Sequence, residues 1–73
     1  MYEKWTGTPH RDYKKAVPLY RLAAEQGYAK AQSRLGWMYE VGRGVPQDYK
    51  EAVKWYRLAA EQGNGLAIDR LVE

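Results

Sequence analysis

Hydrophobic and polar residues follow a helical period in two nearly identical blocks of this chain. Residues 12–27 read DYKKAVPLYRLAAEQG, and residues 48–63 read DYKEAVKWYRLAAEQG. Thirteen of the sixteen positions are identical, and only the pairs 15/51, 18/54 and 19/55 differ. Self-similarity at a period of 36 residues indicates stacked structural repeats, in which each unit buries a face only against its neighbours.

Six positions in the second block recur at helical spacing and predict an amphipathic helix. They are Tyr49, Ala52, Val53, Tyr56, Ala59 and Ala60. Asp48 is suited to the N-cap because its carboxylate can accept from first-turn N–H groups, and Gly63 is suited to the stop. We predict a regular helix over residues 48–62 and a poorer copy over residues 12–26. Pro18 should kink the copy, delay its start or remove the bond between residues 18 and 14.

A companion helix is predicted from about Ala29 to Glu40, followed by a loop. One side of this helix carries Ala31, Leu35, Met38 and Tyr39. The loop over residues 41–47 contains two glycines and a proline, which interrupt regular structure. Gly36 lies inside the helix, where glycine costs about 1 kcal/mol relative to alanine. We therefore expect Gly36 to allow a close approach of the helix that carries Ala52 and Tyr56.

The repeat unit resembles a known family in several segments. These are AQSRLGWMY at residues 31–39, GRGVPQD at 42–48, AVKWY at 52–56 and AAEQG at 59–63. Together they look like a Sel1-like repeat, a 36-residue relative of the tetratricopeptide repeat, with residues 12–27 as a second half-copy. The resemblance implies an all-α solenoid of antiparallel helix pairs, about two repeats long. It also implies a protein-interaction scaffold or adaptor without an active site, often in bacterial signalling, envelope or secretion systems.

The same resemblance divides one domain over residues 1–73 into repeat segments. They are a partial repeat at residues 1–27, a complete repeat at 28–63 and the start of a third repeat at 64–73. Met1-Tyr2-Glu3 repeats Met38-Tyr39-Glu40 and is expected to be the tail of a helix. The loop over residues 4–11 departs from the family pattern through one extra residue and Trp5. Gly65 replaces an expected alanine and should weaken the last helix.

The charge and composition of the chain argue against two classes of function, nucleic-acid binding and membrane insertion. Twelve Lys and Arg residues against nine Asp and Glu residues give a net charge of +3. The basic residues are spread along the chain, whereas nucleic-acid binding favours clustering on one face. Lys14, Lys50, Lys54 and Arg57 are therefore interpreted as a solvated helix face, and a basic nucleic-acid-binding repeat is the weakest alternative. No run approaches the ~20 apolar residues needed to cross a bilayer, so no membrane insertion is expected.

No signal-peptide segment follows Met1, and the sequence is compatible with either a cytoplasmic or a periplasmic location.

No residue pattern indicates catalysis, a cofactor or a metal site. The run at residues 10–12 lacks the asparagine that a kinase loop needs, because Val17 is there. His10 is the only histidine, and no carboxylates stand at a spacing that supports a metal site. Residues 42–44 do not extend to GxGxxG, so they indicate a turn. We therefore predict no enzymatic activity, no cofactor and no metal.

The partner-binding surface is predicted by analogy with tetratricopeptide repeats, whose first helices line a concave groove. On the companion helix, the residues expected to face outward into this groove are Lys30, Ser33, Trp37 and Glu40. Tryptophan is enriched among residues that contribute most to binding energy. The alternative for Trp37 is packing on Arg34 or on a neighbouring repeat. For Trp55, packing between repeats is the preferred interpretation.

Self-association is the second functional hypothesis, because solenoids need about three repeats and polar caps for stability. Two apolar faces are expected to lack a partner within the chain. One comprises Tyr13, Ala16, Val17 and Tyr20, and the other comprises Ala67, Ile68, Leu71 and Val72. The chain is therefore expected to form a homo-oligomer, by head-to-tail stacking or by an exchange of helices. A self-assembling structural unit without a separate ligand is thus the alternative to an interaction scaffold.

Overall fold

The structure is a computed structural model that describes residues 13–72. Within that range the chain forms four α-helices and no strand. They are α1 (Tyr13–Glu25), α2 (Ala29–Val41), α3 (Tyr49–Ala60) and α4 (Gly65–Val72). α2 packs against both α1 and α3, and α4 packs against α3. The predicted all-α solenoid is confirmed.

Several sequence-based predictions fall outside the described residues. They concern the helix tail at residues 1–3, the loop at residues 4–11, the absence of a site at His10 and the first residue of the predicted helix over 12–26. Among residues 13–72, no helix is long and apolar enough to span a membrane.

The ends of α3 follow the predicted capping chemistry. The Asp48 carboxylate accepts from the N–H groups of Lys50 at 3.0 Å and Glu51 at 3.2 Å. These two N–H groups have no carbonyl partner within the helix, so the cap satisfies them. After α3, Gly63 has a φ of 86° and its N–H donates to the Ala60 carbonyl. Glycine adopts this left-handed conformation without steric cost.

α1 continues through Pro18 as one helix from Tyr13 to Glu25. Proline has no N–H, so the bond to the Lys14 carbonyl is lost on covalent grounds. Both Pro18 and Lys14 are exposed, which leaves that carbonyl on the solvent side of the helix. The exposed position limits the disturbance, because a carbonyl facing solvent can be hydrated.

The larger core lies between α1, α2 and α3. Leu35 and Met38 of α2 are its largest fully buried side chains, and Val17 and Ala24 of α1 pack with them. Trp55 of α3 completes this cluster across the repeat boundary. Packing between repeats is therefore confirmed for Trp55.

The expectation that one face of α1 lacks a partner was wrong. Val17 is buried in the core, and Tyr13, Ala16 and Tyr20 pack against it. The α2 helix supplies the apolar surface for this face, because it packs between α1 and α3. The exposed apolar residues of α1 are Leu19 and Leu22 instead.

Gly36 marks a close approach of α2 to α3, as predicted. A Cβ atom at Gly36 would lie 3.0 Å from the Tyr56 ring and 3.1 Å from the Ala52 carbonyl oxygen. Distances this short leave no room for a side chain without a shift of the helices. Ala52 and Tyr56 are buried in the smaller core, together with Ala59 of α3.

The apolar stripe of α4 is only partly exposed. Ala67 is fully buried in the smaller core, and its N–H donates to the Asn64 side chain at 2.9 Å. This contact caps α4 and fixes the helix on α3. The prediction of a free face is therefore wrong for Ala67, whereas Ile68, Leu71 and Val72 are exposed.

We expect Gly36→Leu to lower the free energy of unfolding by about 1–3 kcal/mol, the usual cost of overpacking. The control is Gly65→Ala, because no atom lies within 4 Å of its added Cβ. This change should raise stability by up to about 1 kcal/mol. Urea unfolding followed by circular dichroism measures both variants. A Gly36→Leu protein within about 0.5 kcal/mol of the parent would contradict the close approach.

We expect Pro18→Lys to raise the thermal unfolding temperature. The variant restores the N–H of residue 18 and the residue type found at position 54 of the second block. Proline in a helix interior costs about 3 kcal/mol, so the gain in unfolding free energy should not exceed that value. Lower thermal stability in calorimetry would show that the proline ring makes a contact that lysine cannot replace.

Candidate functional site

The four residues predicted to bind a partner lie on α2, but they differ in accessibility. Lys30 is exposed near the start of the helix. Ser33 is only 3% exposed, and its hydroxyl donates to the Lys30 carbonyl at 3.0 Å. Its orientation therefore differs from the outward orientation that was expected. Helical spacing alone places Ser33 on the same stripe as Lys30 but does not show which neighbour covers it.

Trp37 is half-buried and packs at the junction of the two cores. The centroid of its indole ring lies 5.9 Å from that of the Tyr13 ring, with an angle of 53° between the planes. This tilted arrangement is a favourable geometry for an aromatic pair. Part of the Trp37 side chain therefore packs inside the protein, as the alternative interpretation expected. Only the exposed part of the indole is accessible to a partner.

Glu40 links α2 to both α3 and α4. Its Oε1 accepts from the Tyr56 hydroxyl of α3 at 2.7 Å and lies 3.7 Å from Nε of Arg70 on α4. Burial raises the pKa of Tyr56 above its ordinary value of 10.0, and the hydrogen bond and charge of Glu40 raise it further. The Tyr56 hydroxyl therefore remains a proton donor to Glu40.

Two openings border these residues. The first, here called the α1–α2 groove, has a volume of about 450 Å³. It is lined by Leu19, Tyr20, Ala23, Tyr28, Lys30, Ala31 and Arg34. The second opening has a volume of about 390 Å³ and lies beside the Glu40 network. It is lined by Glu40, Tyr49, Ala52, Val53, Tyr56, Arg70 and Leu71.

Sequence reasoning missed the residues that make the α1–α2 groove accessible. Leu19 is 70% exposed and Tyr28 is 64% exposed, although both are large apolar or aromatic side chains. Position 19 carried a signal, because it is one of three differences between the blocks and stands where Trp55 stands in the second block. Tyr28 carried none, because a turn residue belongs to no helical stripe.

Lys54 of α3 is partly neutralised by a neighbouring carboxylate. The Lys54 amine lies 3.4 Å from the Glu51 carboxylate and 4.8 Å from the centre of the Trp55 ring. Both contacts lie within α3. Across residues 13–72, no group of three or more potential metal ligands is present.

Comparison with known proteins identifies the repeat. A family model described as the Sel1 repeat matches residues 2–28 and residues 29–64. The chain is also similar to the crystal structure of a protective antigen present in uropathogenic Escherichia coli strains, which displays an SLR fold. The two chains are 52% identical, with a TM-score of 0.75.

The match to that antigen covers 77% of this chain and 12% of the antigen chain. This chain therefore corresponds to a small part of the antigen's length. No curated protein matches the chain.

We expect Tyr56→Phe to lower the free energy of unfolding by about 1.5–3 kcal/mol, because it removes a hydrogen bond to a charged group. The matched control is Tyr28→Phe, since Tyr28 is largely exposed. Its effect should stay within about 0.5 kcal/mol. Chemical unfolding of both variants at neutral pH measures the difference.

The same pair of variants tests the raised pKa of Tyr56. The folded-state pKa lies above the unfolded-state value of 10.0, so the unfolded chain loses this proton first. The stability from this group is fully present below pH 10 and is lost as the pH rises through the folded-state pKa. The decline should be smaller in Tyr56→Phe than in the parent. An equal decline in both would show that Tyr56 does not contribute to it.

Proposed function

The chain belongs to the Sel1 repeat family, and on this premise we propose that it is a scaffold that binds a protein or peptide partner along α2. The Sel1 repeat fold is that of a protein–protein interaction module and is typically not catalytic. The partner surface would include Lys30, Trp37 and Glu40. Ser33 is buried and would stabilise the backbone beneath this surface, because its hydroxyl donates a hydrogen bond to the Lys30 carbonyl.

The arrangement of charge along α2 supports this proposal. Lys30 and Glu40 are ten residues apart, which corresponds to about 15 Å along a helix axis. The Lys30 amine makes no ion pair within residues 13–72, whereas the Glu40 carboxylate is held by Tyr56 and Arg70. The accessible part of the Trp37 indole lies between these ends. A partner would thus meet a cation, an aromatic edge and a fixed carboxylate in that order.

The rigidity of α2 also favours a recognition role. Cores on both sides hold this helix, one shared with α1 and one with α3. A surface that is ordered before binding loses less conformational entropy when a partner binds. The partner best suited to it carries a carboxylate opposite Lys30 and an apolar side chain opposite Trp37.

A display library of random peptides, selected on the immobilised chain, tests this proposal. The selected peptides should contain an acidic residue near an apolar one. Lys30→Glu should weaken their binding by tenfold or more, because it replaces attraction by repulsion. The control is Lys50→Glu, since Lys50 is exposed at the same position of α3 as Lys30 is of α2. Isothermal titration calorimetry measures both affinities.

Two outcomes would contradict the proposal. One is a selection that enriches no peptide beyond what an unrelated helical protein enriches. The other is a set of peptides that bind the Lys30 and Lys50 variants equally well, which would place recognition elsewhere.

A further inference from the structure

Two successive helix pairs, here called the first unit (α1 and α2) and the second unit (α3 and α4), differ in how completely the described residues fill their grooves. In the first unit, Leu19 and Tyr28 leave the α1–α2 groove open. Of the seven positions that stand 36 residues after the groove lining, four are buried, whereas Asn64 and Arg70 are half-buried and Leu66 is exposed. Those buried residues are Trp55, Tyr56, Ala59 and Ala67. The same repeat sequence thus forms an open groove in one unit and a filled one in the next.

The occupant of the filled groove is α2. Its Gln32 side chain accepts from Gln62, its Gly36 faces the Tyr56 ring, and its Glu40 accepts from the Tyr56 hydroxyl. These three positions of α2 are four residues apart, so they lie on one face of the helix. A groove of this kind is therefore filled by a helix that lies in the position of α2.

α4 is a helix of the same type, because residues 65–72 lie 36 positions after residues 29–36 of α2. Ile68 stands at the position of Gln32, and Val72 stands at the position of Gly36. These side chains are 41% and 77% exposed. α4 packs on α3, so the α1–α2 groove of its own chain lies on the far side of α2. The described residues 13–72 thus present both an open groove and an apolar helix face that corresponds to the groove's occupant.

We propose that α4 of one copy docks in the α1–α2 groove of a second copy, in a head-to-tail contact that continues the internal stacking of the repeats. Ile68 and Val72 would pack against Leu19, Tyr20 and Tyr28, and all five side chains would lose exposed surface. The association needs no ligand on the partner surface proposed above, and the two surfaces share Lys30.

The charges at the two surfaces are complementary. Lys30 and Arg34 border the groove and form no ion pair within the described part of the chain. Asp69 of α4 is exposed and is likewise without an ion pair there. Opposite charges at the edge of an apolar contact favour encounter and set its orientation.

The contact between copies must be wider than the internal one. A Cβ at Gly36 already comes within 3.0 Å of the Tyr56 ring, and Val72 is larger than glycine. The first unit has additional room, because Leu19 is smaller than Trp55 at the equivalent position. The open volume of about 450 Å³ is consistent with this difference.

A head-to-tail contact leaves one groove and one α4 free at the ends of every assembly. The mass of the parent protein should therefore increase with concentration beyond that of a dimer. Leu19→Lys blocks the groove, and Ile68→Lys blocks the helix face, so each variant alone should remain at the 8.5 kDa of one chain. Light scattering coupled to size exclusion measures these masses at several concentrations.

Mixing the two variants provides the decisive test. Leu19→Lys retains a functional α4 and Ile68→Lys retains a functional groove, so an equimolar mixture should form a complex of two chains that does not grow further. The control is Leu58→Lys, an exposed position of α3 outside both surfaces, which should associate like the parent. Circular dichroism verifies that all variants keep their helicity.

A parent protein that stays at 8.5 kDa up to millimolar concentration would overturn the proposal. An associating parent whose two blocked variants fail to combine would also overturn it, because association would then use a different interface. If a blocked variant loses its helicity, Leu19→Ser and Ile68→Ser replace the lysine variants and are judged by the same outcomes.

Discussion

The close approach of α2 and α3 at Gly36 is the constraint on which the rest of the structure depends. Without a side chain at this position, the ring of Tyr56 lies directly against the α2 backbone. The ring then directs its hydroxyl to Glu40, which also pairs with Arg70. A glycine in one helix thus determines how α3 packs on α2 and, through Glu40, where α4 lies.

The same packing separates the chain into a rigid centre and two accessible ends. α2 contributes to both cores and, like α3, packs against a neighbouring helix on each side along the stack. Leu19 of α1 and Val72 of α4, in the outer helices of the described part of the chain, are exposed. The proposed partner surface follows α2, and the proposed contact between copies uses the α1–α2 groove and α4.

The 36-residue repeat explains both the regularity and the differences between the units. Tyr20 and Tyr56 stand at identical positions of the repeat but differ in burial, because within residues 13–72 α1 packs against α2 whereas α3 packs against both α2 and α4. Burial in a solenoid depends on the number of neighbouring units as well as on residue type. The similarity to the Escherichia coli antigen concerns this repeat architecture, since the match covers 12% of that chain.

The sequence alone determined the helices, the cap at Asp48 and the close approach at Gly36, because these depend on local spacing and residue size. It also placed Trp55 between the repeats. Only the tertiary structure decided that Ser33 is buried, that Ala67 belongs to the core and that Leu19 is exposed. Each of these depends on which helix lies opposite a residue, and a helical period gives the face of a residue without giving the neighbour that covers it.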